Sequence, residues 1–441
     1  MILSHSHSHG HSHGGSKAPL TAEQRNRQRR ALMMMVVFLV PVAVFTIAGL
    51  IFYWPTNAQD HVRQDQSTFS VPGLQIPTGV VTEVTQISCE GIAGDTSGPN
   101  GGQVCGNAKV KLLEGPEKGQ VIEDITMTAP VYASGVHEGT KVTLFRVPIE
   151  GGPPQYSFAD FERTVPLVVM FLLFAVVAVV IARWRGFASL IGLAFAGFIM
   201  VSFMFPALIT GSNPVWVGLI GSSAIMFVVL YLAHGFSART TTALVGTLVG
   251  LFLSAGAGFL ASRWAHLSGA GAEDDVVLSS SAPDLNLSAM VICGVIIASL
   301  GVLNDITITQ ASAVWELAAE GKPDPKNLYR RAMRIGRDHI ASTIYTIAFA
   351  ATGASLSVML LLSVYDRPVW EVIQTETFAA ELIRTFVGSI ALMLAVPITT
   401  AVGVLAVTST AKDSTEIDVD KAENAPGDEL TDVARSSRPA N

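Results

Sequence analysis

Asp305, Thr309, Ser312 and Glu316 are spaced by four, three and four residues, so a helix places all four on one face. They belong to GVLNDITITQASAVWEL, residues 301–317, which also holds Asn304 and Gln310. The apolar run just before it, LSAMVICGVIIASL from Leu287 to Leu300, reads as a membrane helix. A carboxylate beside hydrocarbon is costly unless it meets a partner, a cavity or water. The expectation is therefore a polar site in a multi-spanning membrane protein. Asn304 and Asp305 compete for local backbone hydrogen bonds, so the helix is able to break there into a discontinuous span. The plainer alternative makes Asn304 a helix-end residue and 306–319 an amphipathic surface helix with Glu316 in water.

A second constellation opens the next apolar run, in YRRAMRIGRDHIASTIYTIAFAATGASL. Asp338, Ser342, Tyr345 and Thr346 follow one side at helical spacing. Arg334 stands four residues before Asp338, the spacing of a simple ion pair. Two carboxylates brought together across a helical hairpin would bind a cation or share a proton. The proposed polar pathway is thus Asn304, Asp305, Thr309, Gln310, Ser312, Glu316, Asp338 and Ser342.

Catalytic signatures do not appear. The aspartates sit in LNDI and GRDHI, unlike the Tyr-Asp and Gly-x-Gly-Asp motifs of membrane aspartyl proteases. No nucleophile elbow, zinc-protease helix or phosphate loop is visible. His234 and His266 read as interfacial residues at helix ends. The expectation is a protein that is not an enzyme and carries no cofactor. One metal possibility stands apart from this. His5, His7, His9, His11 and His13 alternate with Ser and Gly, and neutral imidazoles on such a chain can take up a divalent metal.

The elements that position these residues follow from composition. Half of the 441 residues are hydrophobic and 14% are charged, against roughly 25% charged in soluble domains. The deficit is concentrated in apolar runs of bilayer length. RNRQRR precedes the first, a signal anchor with its basic side in the cytoplasm. Seven more begin near Val165, Phe187, Val215, Thr240, Leu287, Ile340 and Phe386. With the N-terminus inside, nine basic residues fall in short inside connections: Arg183, Arg185, Arg239, Lys322, Lys326, Arg330, Arg331, Arg334 and Arg337. Three fall outside: Arg263, Arg367 and Arg384. Gly246, Gly250, Ser254 and Gly258 recur every fourth position, a small-residue face that admits a neighbouring backbone.

Between the first two runs lies a polar segment of short β-branched stretches, TGVVTEVTQISCEG, NAKVKLLEG, QVIEDITMT and GTKVTLFRVP. About five strands predict a small barrel or sandwich. Cys89 and Cys105 flank its glycine-rich loop, and a disulfide there fits an oxidising compartment. Cys293, inside an apolar run, reads as a packed hydrophobe.

The predicted architecture is an all-α polytopic membrane bundle of about eight transmembrane helices, with a small extracytoplasmic all-β domain inserted after the first. The segments are a His-rich cytoplasmic tail (1–30), helix 1 (31–53), the β domain (54–163), a seven-helix membrane domain (164–410) and an acidic cytoplasmic tail (411–441). Both termini are cytoplasmic. The expected partners are the lipid bilayer and a small solute or ion, with no nucleic acid; the oligomeric state is left open.

YSFADFERTVPL, ARWRGFASLIGLAFA, FPALITGSNP, GVLNDITITQASAVWEL and IGRDHIASTIYTIAFAATGASL resemble the YibE/F family of bacterial membrane proteins, across most of Tyr156 to Val407. Asn304 stands where the family stretch has Gly or Asp. The resemblance implies a polytopic membrane protein and assigns no substrate or residue roles. Two readings are weighed. One is a transporter or permease using the polar pathway, the other an envelope binding or scaffold protein acting through the β domain.

Overall fold

The computed structural model describes residues 22–63, 73–90, 104–149, 151–319, 324–364 and 368–408. The histidine tract and the acidic tail lie outside these residues. The described chain forms two compact units. One holds the described parts of Met1–Pro55, Gly192–Gly271 and Asn286–Asn441, the other those of Thr56–Ile191 and Ala272–Leu285. It opens with helix α1 (Ala22–Phe52).

The second unit is built on strands β1 (Thr78–Ser88), β2 (Val104–Leu112), β3 (Val121–Met127), β4 (Lys141–Val147) and β5 (Gln155–Phe161). They form one antiparallel sheet in the order β3-β2-β1-β4-β5. Period-two alternation sends Val81, Ala108, Val110, Leu112, Ile125, Met127, Val142 and Leu144 into its core. Register shifts at Val81/Glu83 and at Ala108/Val110 mark bulges. Bulges bend and twist the strands that carry them, and the curled sheet brings its edge strands β3 and β5 near each other. The outcome is a single curled sheet rather than a two-layered sandwich. A short helix, α2 (Ala129–Ala133), joins β3 to β4. Cys89 and Cys105 are disulfide-bonded across the β1–β2 connection.

Glu117 ties the β2–β3 loop to the far strands. It accepts hydrogen bonds from Arg146 Nε at 2.9 Å, Arg146 Nη2 at 2.6 Å and the Tyr156 hydroxyl at 2.8 Å. These bonds, led by the guanidinium, hold the Glu117 carboxyl down at about 2. After β5, Glu162 accepts the Thr164 backbone N–H and so caps the first turn of α3 (Thr164–Ile199).

The runs expected from Val165 and Phe187 form two helices that meet directly at a sharp break at Arg183, whose backbone (φ 54, ψ −132) leaves the helical region, within the Thr164–Ile199 stretch. Arg183 and Arg185 are its only charges and are both good helix formers, so nothing local demands a loop. A Cβ at Gly186 would stand 2.1 Å from the Ala178 carbonyl oxygen, so this break requires glycine there. A π turn (Met200–Met204) and α4 (Phe205–Ile209) follow, with Pro206 near the start of α4.

The remaining elements are α5 (Pro214–His234), α6 (Ala238–Trp264), α7 (Glu273–Ser281), α8 (Leu287–Ala319), α9 (Pro325–Ala354), α10 (Leu356–Val364), α11 (Val369–Ile373) and α12 (Glu376–Thr408). Start signals are local. The Asn213, Ser237 and Asp324 side chains accept backbone N–H groups at the first turns of α5, α6 and α9. Pro214 and Pro325 occupy the first helical positions.

Among the described residues, six stretches are long and apolar enough to cross a membrane: Met35–Phe52, Thr164–Ile209, Pro214–His234, Ala238–Trp264, Leu287–Ala319 and Glu376–Thr408. The run expected from Ile340 is not among them. It forms the second half of α9, whose first half is charged, and it is interrupted at Ser355 before α10. In the helical unit, α6, α8 and α12 pack on one another, with α1, α5 and α9 against them. The small-residue stripe of α6 lets this happen. Built Cβ atoms at Gly246 and Gly250 would fall 2.0 Å from Thr399 Oγ1 and 2.6 Å from Leu303 Cδ2.

Candidate functional site

α8 runs unbroken from Leu287 to Ala319 through the Asn304–Asp305 pair, so the discontinuous span does not form. The hydroxyls that follow the pair bond within the helix. Thr309 Oγ1 donates to the Asp305 carbonyl and Ser312 Oγ to the Ile308 carbonyl, both at 2.8 Å. Bonding four residues back satisfies a hydroxyl without breaking the backbone ladder.

The buried polar face of α8 is not the one carrying Asp305 and Glu316. Those two carboxylates are exposed, while Ser299, Thr307 and Gln310 are buried. Thr307 meets Thr247 of α6 at 2.6 Å. Each hydroxyl also has a carbonyl acceptor on its own helix, Ala243 at 2.9 Å for Thr247 and Asn304 at 3.3 Å for Thr307, so either can donate across the pair. Two turns away, Ser254 of α6 and Ser299 lie 2.7 Å apart. Ser299 gives its proton to the Val295 carbonyl, so Ser254 donates here.

Gln310 is the node of this seam. Its Nε2 donates to the Thr400 hydroxyl of α12 at 2.7 Å and to the Ala332 carbonyl of α9 at 3.0 Å. Gly336 makes room for it, since a Cβ there would stand 2.9 Å from Gln310 Oε1 and 2.7 Å from Val396. One amide thus fastens three helices. Thr399, against Gly246, and Thr400 return their protons to carbonyls four residues back. All the buried polar side chains among the described residues are neutral: Ser, Thr and one Gln.

Of the residues expected to form the pathway, the structure brings Gln310 into this seam. Asn304 is half-buried, and its Oδ1 is shut away with no hydrogen-bond partner. Thr309 and Ser312 are half-buried and bonded within α8; Asp305, Glu316, Asp338 and Ser342 are exposed. Among the described residues, no hydrogen bond or ion pair joins Asp305 to Asp338, or Arg334 to Asp338. Between α8 and α9, Ile306 instead packs with Val302, Met333, Ile340 and Val396. The apolar seam therefore occupies the place where the two carboxylates were expected to converge.

Sequence reasoning missed Thr247, Ser254, Ser299, Thr307, Thr399 and Thr400 as a group. Ser254 belonged to the stripe read as packing alone. Thr399 and Thr400 stand two and three residues after Pro397 in a largely apolar stretch of α12, a local signal of a polar helix face. The described residues contain no group of three or more His, Cys, Asp or Glu able to hold a metal ion. The histidine tract lies outside them.

No curated protein and no solved structure matches the chain. A family model described as YibE/F-like protein matches residues 170–409, a span that contains α5, α6, α8, α9 and the whole hydroxyl seam. With that match over more than half its length, the chain belongs to the YibE/F-like family, and its apolar helices point to a membrane protein.

Proposed function

We propose that the protein is a permease for a small polar solute or ion, without a catalytic step, whose pathway follows the α6–α8–α12 seam. The observation carrying this reading is Gln310, buried at 2% exposure in the apolar α8 and joined to α9 and α12. Burying polar groups in hydrocarbon is costly, and such residues in membrane segments are usually functional. The seam is also weakly held. Interhelical hydrogen bonds in membranes average about 0.6 kcal/mol, so opening two hydroxyl pairs and one amide is a small expense. Asp305 and Asp338 then stand at a mouth of the pathway rather than inside it.

The same proposal carries eight crossings. The break at Arg183 divides the 164–209 stretch in two, and α9 with α10 supplies one more. Both termini are then cytoplasmic and the curled sheet extracytoplasmic, in keeping with the inside excess of basic residues.

The test is flux in proteoliposomes holding the full chain, challenged in turn with gradients of protons, alkali cations, small anions and neutral polar solutes. The wild type dissipates at least one gradient. Gln310→Leu abolishes that flux, and Asp305→Asn lowers it. Flux no greater than in protein-free vesicles for every species would sink the reading.

A second reading, an envelope binding protein, draws on the sheet. Its strand order, the helix between β3 and β4, and the approach of β3 to β5 resemble small partly open barrels that bind oligosaccharides or nucleic acids. That likeness is of fold alone. Deleting residues 60–160 abolishes partner capture on this reading; capture that survives the deletion removes it.

A further inference from the structure

α9 has two unlike sides in its first half. Leu328, Ala332 and Gly336 recur every fourth residue and are buried, Gly336 against Gln310 and Val396. Lys326, Arg330, Arg334 and Arg337 are exposed. At 100° per residue they cluster on the side away from the buried stripe. Among the described residues no carboxylate pairs with any of them, and the nearby Asp338 is itself exposed. Guanidinium groups without partners on a helix are a ready surface for phosphate.

The same side changes character along the helix. Arg334, Arg337, Ala341 and Tyr345 follow at spacings of three, four and four, and Phe349 lies one turn further. Tyr345 is 65% exposed and Phe349 74%. The rise from Arg337 to Tyr345 is about 12 Å and to Phe349 about 18 Å. This is the order of depth from a phospholipid phosphate into its acyl chains, with the small, exposed Ala341 between the two zones.

We propose that the exposed side of α9 binds an anionic phospholipid. Arg330, Arg334 and Arg337 hold the phosphate, and Tyr345 and Phe349 lie along the acyl chains. Charge complementarity selects this occupant: four cations against one exposed carboxylate favour a lipid with net negative charge over a zwitterionic one. The inference rests on membrane residence and stands apart from the transport proposal.

The full chain in detergent, titrated with phosphatidylglycerol or phosphatidylcholine, is read by native mass spectrometry. The wild type retains phosphatidylglycerol in preference to phosphatidylcholine. The triple variant Arg330→Gln, Arg334→Gln, Arg337→Gln binds phosphatidylglycerol more than tenfold more weakly, and the corresponding triple Arg→Lys variant loses less. Arg263→Gln, at the other end of α6 from Arg239, binds like the wild type. Tyr345→Ala with Phe349→Ala keeps the headgroup preference but loses the advantage of long-chain over dihexanoyl phosphatidylglycerol. Circular dichroism reports helix content, so lost binding counts only with the fold retained; should the glutamine triple unfold, the lysine triple and Tyr345→Ala/Phe349→Ala carry the test. Equal retention of both lipids by the wild type, unchanged binding by a folded triple variant, or an equal loss in Arg263→Gln would overturn the proposal.

Discussion

At the scale of single residues, Gly246 and Thr399 set how closely α6 and α12 approach. A methyl at Gly246 would fall 2.0 Å from Thr399 Oγ1, and that hydroxyl belongs to a short, stiff β-branched side chain. Gly246→Ala is therefore expected to destabilise the protein by about 1–3 kcal/mol, as overpacking does. Thr399→Ala removes the obstructing atom, so the double variant should recover more than half of the loss. Thermal unfolding in detergent measures the cycle. Additive losses would mean that the two side chains do not meet. The same scale explains why Gln310 has no simple substitute. Its amide reaches a carbonyl on one helix and a hydroxyl on another, and the space it fills exists because position 336 has no side chain.

At the scale of elements, the curled sheet owes its closure to side chains far apart in sequence. The Glu117 carboxyl is held at about 2, below its ordinary 4.5, first by the Arg146 hydrogen bonds. A group with a lowered folded value stabilises fully above its unfolded value and progressively less as pH falls. This contribution is thus complete above about pH 4.5 and is lost as pH falls from there through about 2. Glu117→Gln should flatten that part of the profile, read as hydrogen-exchange protection of β4 and β5 amides in the full chain. A steep wild-type slope that persists in the variant would show that another group causes it. The disulfide acts on the unfolded chain instead. Cys89 and Cys105 are 16 residues apart, and opening a loop of that size costs about 3 kcal/mol in the chain-entropy account. Cys89→Ser should lower sheet stability by that order, measured by proteolysis of the β1–β2 region. A change near zero would indicate that the unfolded segment is already restrained.

At the scale of the whole molecule, the question is which ends of which helices share a side of the membrane. The eight crossings proposed above would put Ser134, exposed just after α2, on the opposite side of the membrane from Asn327, exposed in the first turn of α9. In a Cys293→Ala background, Ser134→Cys should react with an impermeant maleimide in intact cells. Asn327→Cys should react only after permeabilisation. Labelling of both from the same side would require an odd number of changes to the proposed crossings. α8 fits this frame by length. Its 33 residues extend about 50 Å, against a hydrocarbon core of about 30 Å. A continuous helix therefore has room both to cross and to carry Asp305 and Glu316 toward water.

Local composition was enough to reveal the apolar runs, the strands of the curled sheet and the polar character of residues 301–317. Each depends on hydropathy, a period of two, or a run length that neighbours in sequence supply. Even the break at Arg183 lies between two runs legible by inspection, although the absence of a loop was not. What the tertiary structure decided is rotation. Asp305 and Thr307 are two residues apart, which on a helix is about 200°, and only the partners of α8 determine which of them points inward. Those partners include Thr247 and Thr400, 60 and 90 residues away in sequence from Thr307 and Gln310. Small and hydroxyl side chains let α6 and α12 close against Thr307 and Gln310, because a neutral side chain costs less to bury than a carboxylate. The charged face of α8 was thereby turned outward.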